Sequence, residues 1–250
     1  MRAAAVRAIS LAGAAACAAC SIPEKIDTFQ PPFACNKAQL PTEADDPVTI
    51  SGHVIDAFSQ QPVPGATVTG FVIVPGTDDT PVFKVTTDAT GRFVQVQSTL
   101  GIPRAIMLSA HLDGYLDTHY YPAVKLAHDL DTDIDILTPD NLTGLTMLGM
   151  VTVDMTKANF FVTAVDCNDD PVGGVQIMTD QPTATTLYFA GGNPDKTAVA
   201  TDAKTGTALI INVPVGSTTF SGTVLDTNTA MRANTIDGAA GALIQTEIQP

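Results

Sequence analysis

The chain has 250 residues, of which 45% are hydrophobic and 15% charged, and its formal net charge is −14. This composition is too apolar for a disordered chain, because it supplies enough apolar surface for a packed core. The excess of acidic residues argues against a nucleic acid partner, whose phosphates would be repelled. Threonine, valine, aspartate, glycine and proline are frequent and tryptophan is absent, which predicts short strands joined by tight turns.

The first 19 residues have the pattern of a secretory signal peptide. Two arginines precede an apolar stretch of small residues at 8–19, which is too short to cross a bilayer as a permanent helix. Two alanines stand directly before Cys20. This arrangement resembles the lipobox of bacterial lipoproteins, in which the signal is cut before a cysteine that receives lipid. We therefore predict a signal peptide at 1–19 and a membrane-anchoring lipid on Cys20.

The lipobox resemblance is incomplete at one position. Cys17 stands where leucine is usual, and Cys17 is itself a second possible site of lipid attachment. A cleaved signal without lipid is the remaining alternative. Residues 20–46 are rich in proline and polar residues, which predicts a lipid anchor followed by a flexible tether. Ser21, directly after the anchor cysteine, is compatible with sorting to the outer membrane.

Two cysteines remain after the signal peptide and the anchor are set aside. These are Cys35 and Cys167, 132 positions apart. An exported protein enters an oxidising compartment, where exposed free thiols are a liability. We therefore predict a disulfide between Cys35 and Cys167, with two unpaired thiols as the alternative.

Strict alternation of apolar and polar residues begins at Val48. Val48, Ile50, Gly52 and Val54 share one face of a predicted strand, and similar runs follow along the chain. Two motifs then occur twice in the same order. An aspartate followed by Pro-Val-x-Gly lies within 55–65 and again within 165–174. Thr-Asp followed by a nearby glycine lies at 87–91 and again at 201–206. Their proline, glycine and aspartate residues suit turns, so we expect them to have structural rather than chemical roles.

The first copy, SGHVIDAFSQQPVPGATVTGF followed by TTDATGRFVQV, resembles the carboxypeptidase regulatory-like domain. That domain is a seven-stranded sandwich of the transthyretin, or prealbumin-like, type. The resemblance covers residues 47–137, and residues 157–250 resemble a more divergent copy. It implies an all-β chain with two consecutive prealbumin-like β-sandwich domains and a short linker helix. It says little about function, because this fold has many roles.

The linker at 138–156 contains the predicted helix. Thr138 is a suitable N-cap and Pro139 a suitable first helical residue. The apolar residues that we expect to pack between the domains are Leu142, Leu145, Met147 and Leu148. Gly149 is expected to keep the helix short.

The strongest candidate for chemistry is the segment 111–121, which contains His111, Tyr115, His119, Tyr120 and Tyr121. Two histidines and two tyrosines can hold ferric iron, as in intradiol ring-cleaving dioxygenases, whose core is also prealbumin-like. The spaced ligand pattern of that family is missing here. Adjacent tyrosines on a strand also point to opposite faces, so they cannot both reach one metal. We therefore expect no catalytic residue and no cofactor.

Four aspartates alternate with other residues near the end of the first copy, at Asp129, Asp131, Asp133 and Asp135. On one strand all four carboxylates would share a face. We predict an edge strand whose charges block aggregation, with weak calcium binding as the alternative.

Together these observations predict a non-catalytic lipoprotein of the cell envelope, in the outer membrane, that acts as a binding, adhesion or scaffold module. The expected partners are the membrane, through the lipid, and a protein or polysaccharide at the cell surface. The lack of tryptophan favours a protein over a sugar, because sugar sites commonly use exposed aromatic platforms. A passive spacer and a metal-dependent enzyme with its metal near 111–121 are the alternatives.

Overall fold

The structure is a computed structural model that describes residues 33–36, 39–74 and 80–250. In this part of the chain the first half has strands β1 (Val48–Asp56), β2 (Gln61–Pro62), β3 (Thr67–Val72), β4 (Thr80–Thr86), β5 (Arg92–Gln97), β6 (Ile106–His111), β7 (Thr118–Tyr121), β8 (Leu130–Asp131) and β9 (Ile134–Ile136). Helix α1 (Pro139–Leu148) follows. The second half has strands β10 (Ala158–Ala164), β11 (Val175–Thr179), β12 (Thr185–Ala190), β13 (Asn193–Asp195), β14 (Thr207–Val213), β15 (Gly216–Val224), β16 (Thr229–Gly238) and β17 (Leu243–Ile248). The predicted all-β sandwich fold is confirmed. The predicted signal peptide and Cys20 lie outside the described residues.

The largest sheet contains strands from both halves of the chain. Its nine strands have the order β13-β12-β14-β10-β17-β7-β6-β3-β4. The C-terminal strand β17 lies at the middle and pairs in parallel with β10 on one side and β7 on the other. The two halves therefore share one continuous sheet, which the sequence motifs did not indicate.

In the first half, a second sheet covers one face of β3, β6 and β7. Its central strand β1 pairs antiparallel with β5 and β2, and parallel with β8 and β9. Alternate residues of β1, from Val48 to Asp56, are buried, which confirms the predicted apolar face. The core between the sheets includes Phe93, Leu108 and Ile134, all essentially inaccessible to solvent.

In the second half, the sheet of β11, β15 and β16 covers the opposite face of the large sheet. Side chains of β10 alternate, so Phe160 points into this core and contacts Phe220, with ring centroids 4.8 Å apart. Phe161 points to the other face, where α1 covers it with Leu142. The nine-stranded sheet therefore carries apolar cores on both of its faces.

Helix α1 begins as the sequence predicts. The Thr138 hydroxyl accepts a hydrogen bond from the backbone N–H of Asn141, and proline occupies the first turn. The helical period buries Leu142 and Thr146 against the sheet. The prediction that Met147 and Leu148 pack between the domains is wrong, because the same period turns them to solvent. Among the described residues, no helix is both long and apolar enough to cross a membrane.

The two copies of the repeat make the same turn contacts. Asp56 and Asp166 each accept hydrogen bonds from two backbone N–H groups of the turn that follows. Asp88 and Asp202 do the same in the second motif. These bonds measure 2.7–3.1 Å. The aspartates therefore have the structural role expected from the sequence.

The threonine before each turn aspartate also repeats its contacts. Thr87 accepts a hydrogen bond from the backbone N–H of Ala66, and Thr201 accepts one from Val175. Each threonine hydroxyl also donates to a backbone carbonyl of the preceding Pro-Val segment. The motif thus ties one hairpin to the start of the next strand in both halves.

The row of aspartates does not lie on one strand. Asp129, Asp131 and Asp133 each accept a hydrogen bond from a polar group of β1, at 2.6–3.1 Å. Asp135 instead contacts the side chain of Gln245, across the junction of the two halves. Regular pairing is interrupted between β8 and β9, but both strands pair with β1 in the same register, so the expected common face of the aspartates is kept.

Candidate functional site: a groove at the junction of the two halves

A groove of about 400 Å³ lies on the face of the nine-stranded sheet between the five-stranded sheet and α1. We call it the junction groove. Its floor is formed by the side chains of Tyr120, Phe161, Thr163, Gln245 and Glu247. One wall comes from β9 and the loop after β1, and the other from α1 and β12. The groove therefore draws side chains from both halves of the chain.

The parallel pairing of β7, β17 and β10 explains how the floor is assembled. Tyr120 of β7 and Phe161 of β10 both lie opposite Gln245 of β17, and Thr163 lies opposite Glu247. Side chains of directly paired residues point to the same face of a sheet. Because β17 is inserted between β7 and β10, these five residues meet on one surface.

Glu247 is partly buried on the groove floor. Its carboxylate accepts a hydrogen bond from the Tyr120 hydroxyl, at 3.3 Å. Burial raises the pKa of Glu247 from its usual 4.5 to about 7, and the nearby Asp169 carboxylate contributes in the same direction. Burial also raises the pKa of the Tyr120 hydroxyl well above its usual value. Tyr120 thus remains a hydrogen-bond donor to Glu247 at neutral pH.

Asp135 forms the second acidic position of the groove. Its backbone N–H donates to the side-chain Oε1 of Gln245 at 3.0 Å, and its carboxylate accepts from the side-chain Nε2 of Gln245 at 3.3 Å. Burial raises the pKa of Asp135 from 3.8 to about 6, with a further contribution from Asp133. Within the described part of the chain, neither Asp135 nor Glu247 forms an ion pair with a basic residue.

The replacement Glu247→Gln is expected to remove a pH dependence of stability. Native Glu247 keeps its proton up to about pH 7, whereas the unfolded chain loses it near 4.5. The free energy of unfolding therefore falls as pH rises between these values. Above pH 7 the variant should be more stable than the wild type by roughly 1–3 kcal/mol. Below pH 4 the two should be equal, as measured by urea unfolding followed by circular dichroism.

The matched control for this measurement is Glu43→Gln, at an exposed position outside the groove. It makes the same change in net charge, so it corrects for the general repulsion of an acidic protein. Equal pH profiles for the two variants would contradict a buried, proton-binding Glu247.

The structure separates the side chains of the predicted candidate segment 111–121. His111 contacts Asp117 at 2.6 Å, which raises the pKa of the imidazole. The Tyr115 hydroxyl donates to Asp56 at 3.0 Å. Tyr120 lies in the core of the first half and Tyr121 in the core of the second half, on opposite faces of the sheet as predicted. No group of three or more histidine, cysteine, aspartate or glutamate residues in the described ranges is arranged to hold a metal ion.

The predicted disulfide between Cys35 and Cys167 is present, with the Cα atoms 5.6 Å apart. It joins the segment before the first sandwich to the turn that follows β10. Asp169, in the same turn, acts electrostatically on Glu247. The disulfide therefore anchors the turn from which Asp169 acts on Glu247 of the junction groove.

Neither Gln245 nor Glu247 was predicted from the sequence as a site residue. The strand that contains them, LIQTEI, places a glutamine and a glutamate among residues that are otherwise largely apolar. A charged residue in a strand that is buried on both faces is uncommon and is a signal for a functional position. That signal depends on knowing that β17 is central, which its sequence alone does not show.

No family model matches this chain, and neither does any curated protein. Solved structures with some similarity include 3-chlorocatechol 1,2-dioxygenase from Rhodococcus opacus 1CP, at 15% identity and a TM-score of 0.28 over 38% of this chain and 62% of that one. The TIE protein of Bacillus anthracis has 12% identity and a TM-score of 0.29, over 81% of this chain and 33% of that one. A double mutant of the shaft pilin SpaA from Lactobacillus rhamnosus GG has 12% identity and a TM-score of 0.25, over 82% of this chain and 97% of that one.

The chain thus spans less than two thirds of the dioxygenase and of the TIE protein. Similarity at this level assigns neither a family nor an activity.

Proposed function

We propose that this protein is a non-catalytic binding module of the bacterial cell envelope, attached to the membrane by lipid on Cys20, and that the junction groove binds its ligand. The observation that carries the proposal is the convergence of Tyr120, Gln245 and Glu247, from both halves, on the floor of one groove. Ligand sites are typically concave, largely apolar and supplied with a few convergent polar groups. The junction groove has all three properties.

The mouth of the groove supports a role in binding. Phe58 and Leu148 line it, and they are 66% and 61% exposed. We call these two residues the apolar rim. Large apolar side chains gathered at a surface commonly mark an interaction site. The expected ligand is therefore part of a larger surface component, a protein or a polysaccharide.

The proposal is tested by capture from solubilised native envelope, using immobilised protein with an open or a filled groove. Asn193 is exposed and lines the groove, so Asn193→Trp fills it without entering a core. Val94→Trp is the matched control, because Val94 is also exposed on a strand but lies outside the groove. We expect the wild type and Val94→Trp to retain the same component and Asn193→Trp to lose most of it, as identified by mass spectrometry.

Retention of the same component by Asn193→Trp would place the binding surface elsewhere on the molecule. A reproducible blank with the wild type, across several extracts, would favour a passive spacer of the envelope instead.

A further inference from the structure

Among the described residues, all ionisable side chains with a formal charge that line the junction groove are acidic. Asp133, Asp135 and Glu247 line it, and no lysine, arginine or histidine does so among the described residues. Asp133 is paired with His53 at 3.2 Å. Asp135 and Glu247 have hydrogen-bond partners but no basic partner within the described ranges. Among the described residues, the groove therefore presents two partly buried acidic groups without a cationic partner.

A bare metal ion does not suit this arrangement. Hard cations need several oxygen ligands around one point. The described residues hold no cluster of three or more potential ligands of that kind. An organic cation needs only one or two carboxylates near its charged head, provided that the rest of the ligand finds apolar contacts.

The groove supplies those apolar contacts. Phe161 and Phe189 lie in contact, with ring centroids 6.2 Å apart, and both line the groove together with Leu145. Aliphatic stems of lysine and arginine bury well along such surfaces while their heads reach polar groups. Aromatic rings also attract a nearby cation.

The apolar rim favours a polypeptide over a free amine as the ligand of the groove. A small amine that fills the groove would leave Phe58 and Leu148 exposed to solvent. A polypeptide segment that inserts one basic side chain can cover the rim with its neighbouring residues. The acidic net charge of the whole chain, −14, would also attract a basic partner.

Building on the proposed function, we infer that the junction groove receives a lysine or arginine side chain of a polypeptide partner. The cationic head lies against Glu247 and Asp135, and the stem lies against Phe161 and Phe189. The flanking residues of the partner cover the apolar rim. Protein binding is thereby favoured over polysaccharide binding for this site.

The test uses short fluorescent peptides with apolar flanks and one variable central residue, which is lysine, arginine, norleucine or acetyl-lysine. Binding to the full-length protein is followed by fluorescence anisotropy, with n-pentylamine as a competing free amine. We expect the lysine or arginine series to bind at least about tenfold more tightly than norleucine or acetyl-lysine. Glu247→Gln and Asp135→Asn should each weaken that binding by about tenfold. Glu43→Gln and Asp226→Asn, exposed and outside the groove, should leave it unchanged.

Any of three other outcomes would overturn the inference. Equal binding of the norleucine series would show that the groove selects apolar side chains. Binding of n-pentylamine as tightly as of the peptides would assign a free amine as the ligand. Peptide binding that is unaffected by Glu247→Gln and Asp135→Asn would place the basic side chain elsewhere. In all three cases the proposed function still stands if Asn193→Trp abolishes capture of the envelope component, so the two failures are distinguishable.

Discussion

Replacement of both Cys35 and Cys167 by serine is expected to lower the free energy of unfolding by roughly 4–5 kcal/mol. The disulfide closes a loop of 132 positions that contains the whole first sandwich and α1. Without it, the unfolded chain gains the freedom that this loop had lost, and the folded state is disfavoured by the same amount. Urea unfolding followed by circular dichroism measures the change directly.

Wild-type protein unfolded in the presence of a reductant is the natural control, since it has the same sequence but no cross-link. It should match the double serine variant. If both unfold at the same urea concentration as the oxidised wild type, the disulfide orders only the segment around Cys35 and not the body of the protein.

The replacement Gly52→Ala is expected to destabilise the first sandwich by about 4 kcal/mol or more, or to prevent its folding. Gly52 lies within β1, with φ at +154°. A Cβ atom at this position would overlap the backbone carbonyl oxygen of Thr132. Backbone cannot move aside as a flexible side chain does, so the pairing of β1 with β8 and β9 would have to open. Thermal and urea unfolding, compared with the wild type, give the magnitude.

Gly114→Ala is the matched control for that experiment. Gly114 also has a positive φ, at +90°, but a Cβ atom there would meet nothing within 4 Å. It should cost only about 1–2 kcal/mol of backbone strain. Equal losses for the two variants would mean that conformation alone, and not the close approach to Thr132, requires glycine at position 52.

These two effects bear on the junction groove in different ways. Asp133 directly follows Thr132 and Asp135 comes two residues later, so Gly52→Ala disturbs the wall of the groove that β9 provides. Loss of the disulfide releases the turn that contains Asp169, which acts on Glu247. Variants at either place should therefore be checked for stability before any loss of ligand binding is assigned to the groove itself.

Short-range patterns predicted much of the local structure. Each correct prediction depends on residues that are close in sequence: the alternation along β1, the turn aspartates Asp56 and Asp166, and the N-cap Thr138. Their physical cause, strand pleat, turn chemistry or helix capping, is present in the residues themselves. The pattern for α1 was less informative at its end, because apolar Met147 and Leu148 fit a short helix but not the face that its period buries.

The amino-acid sequence by itself determined an all-β chain with a duplicated turn pattern, a short helix between the copies and a pair of cysteines suited to a disulfide. Only the tertiary structure decided that β17 enters the middle of a nine-stranded sheet and brings Gln245 and Glu247 beside Tyr120 and Asp135. Strand partners far apart in the chain are selected by burial and by backbone pairing over the whole sheet. Local sequence patterns do not determine these distant strand partners. The junction groove forms because β17 pairs with both β7 and β10.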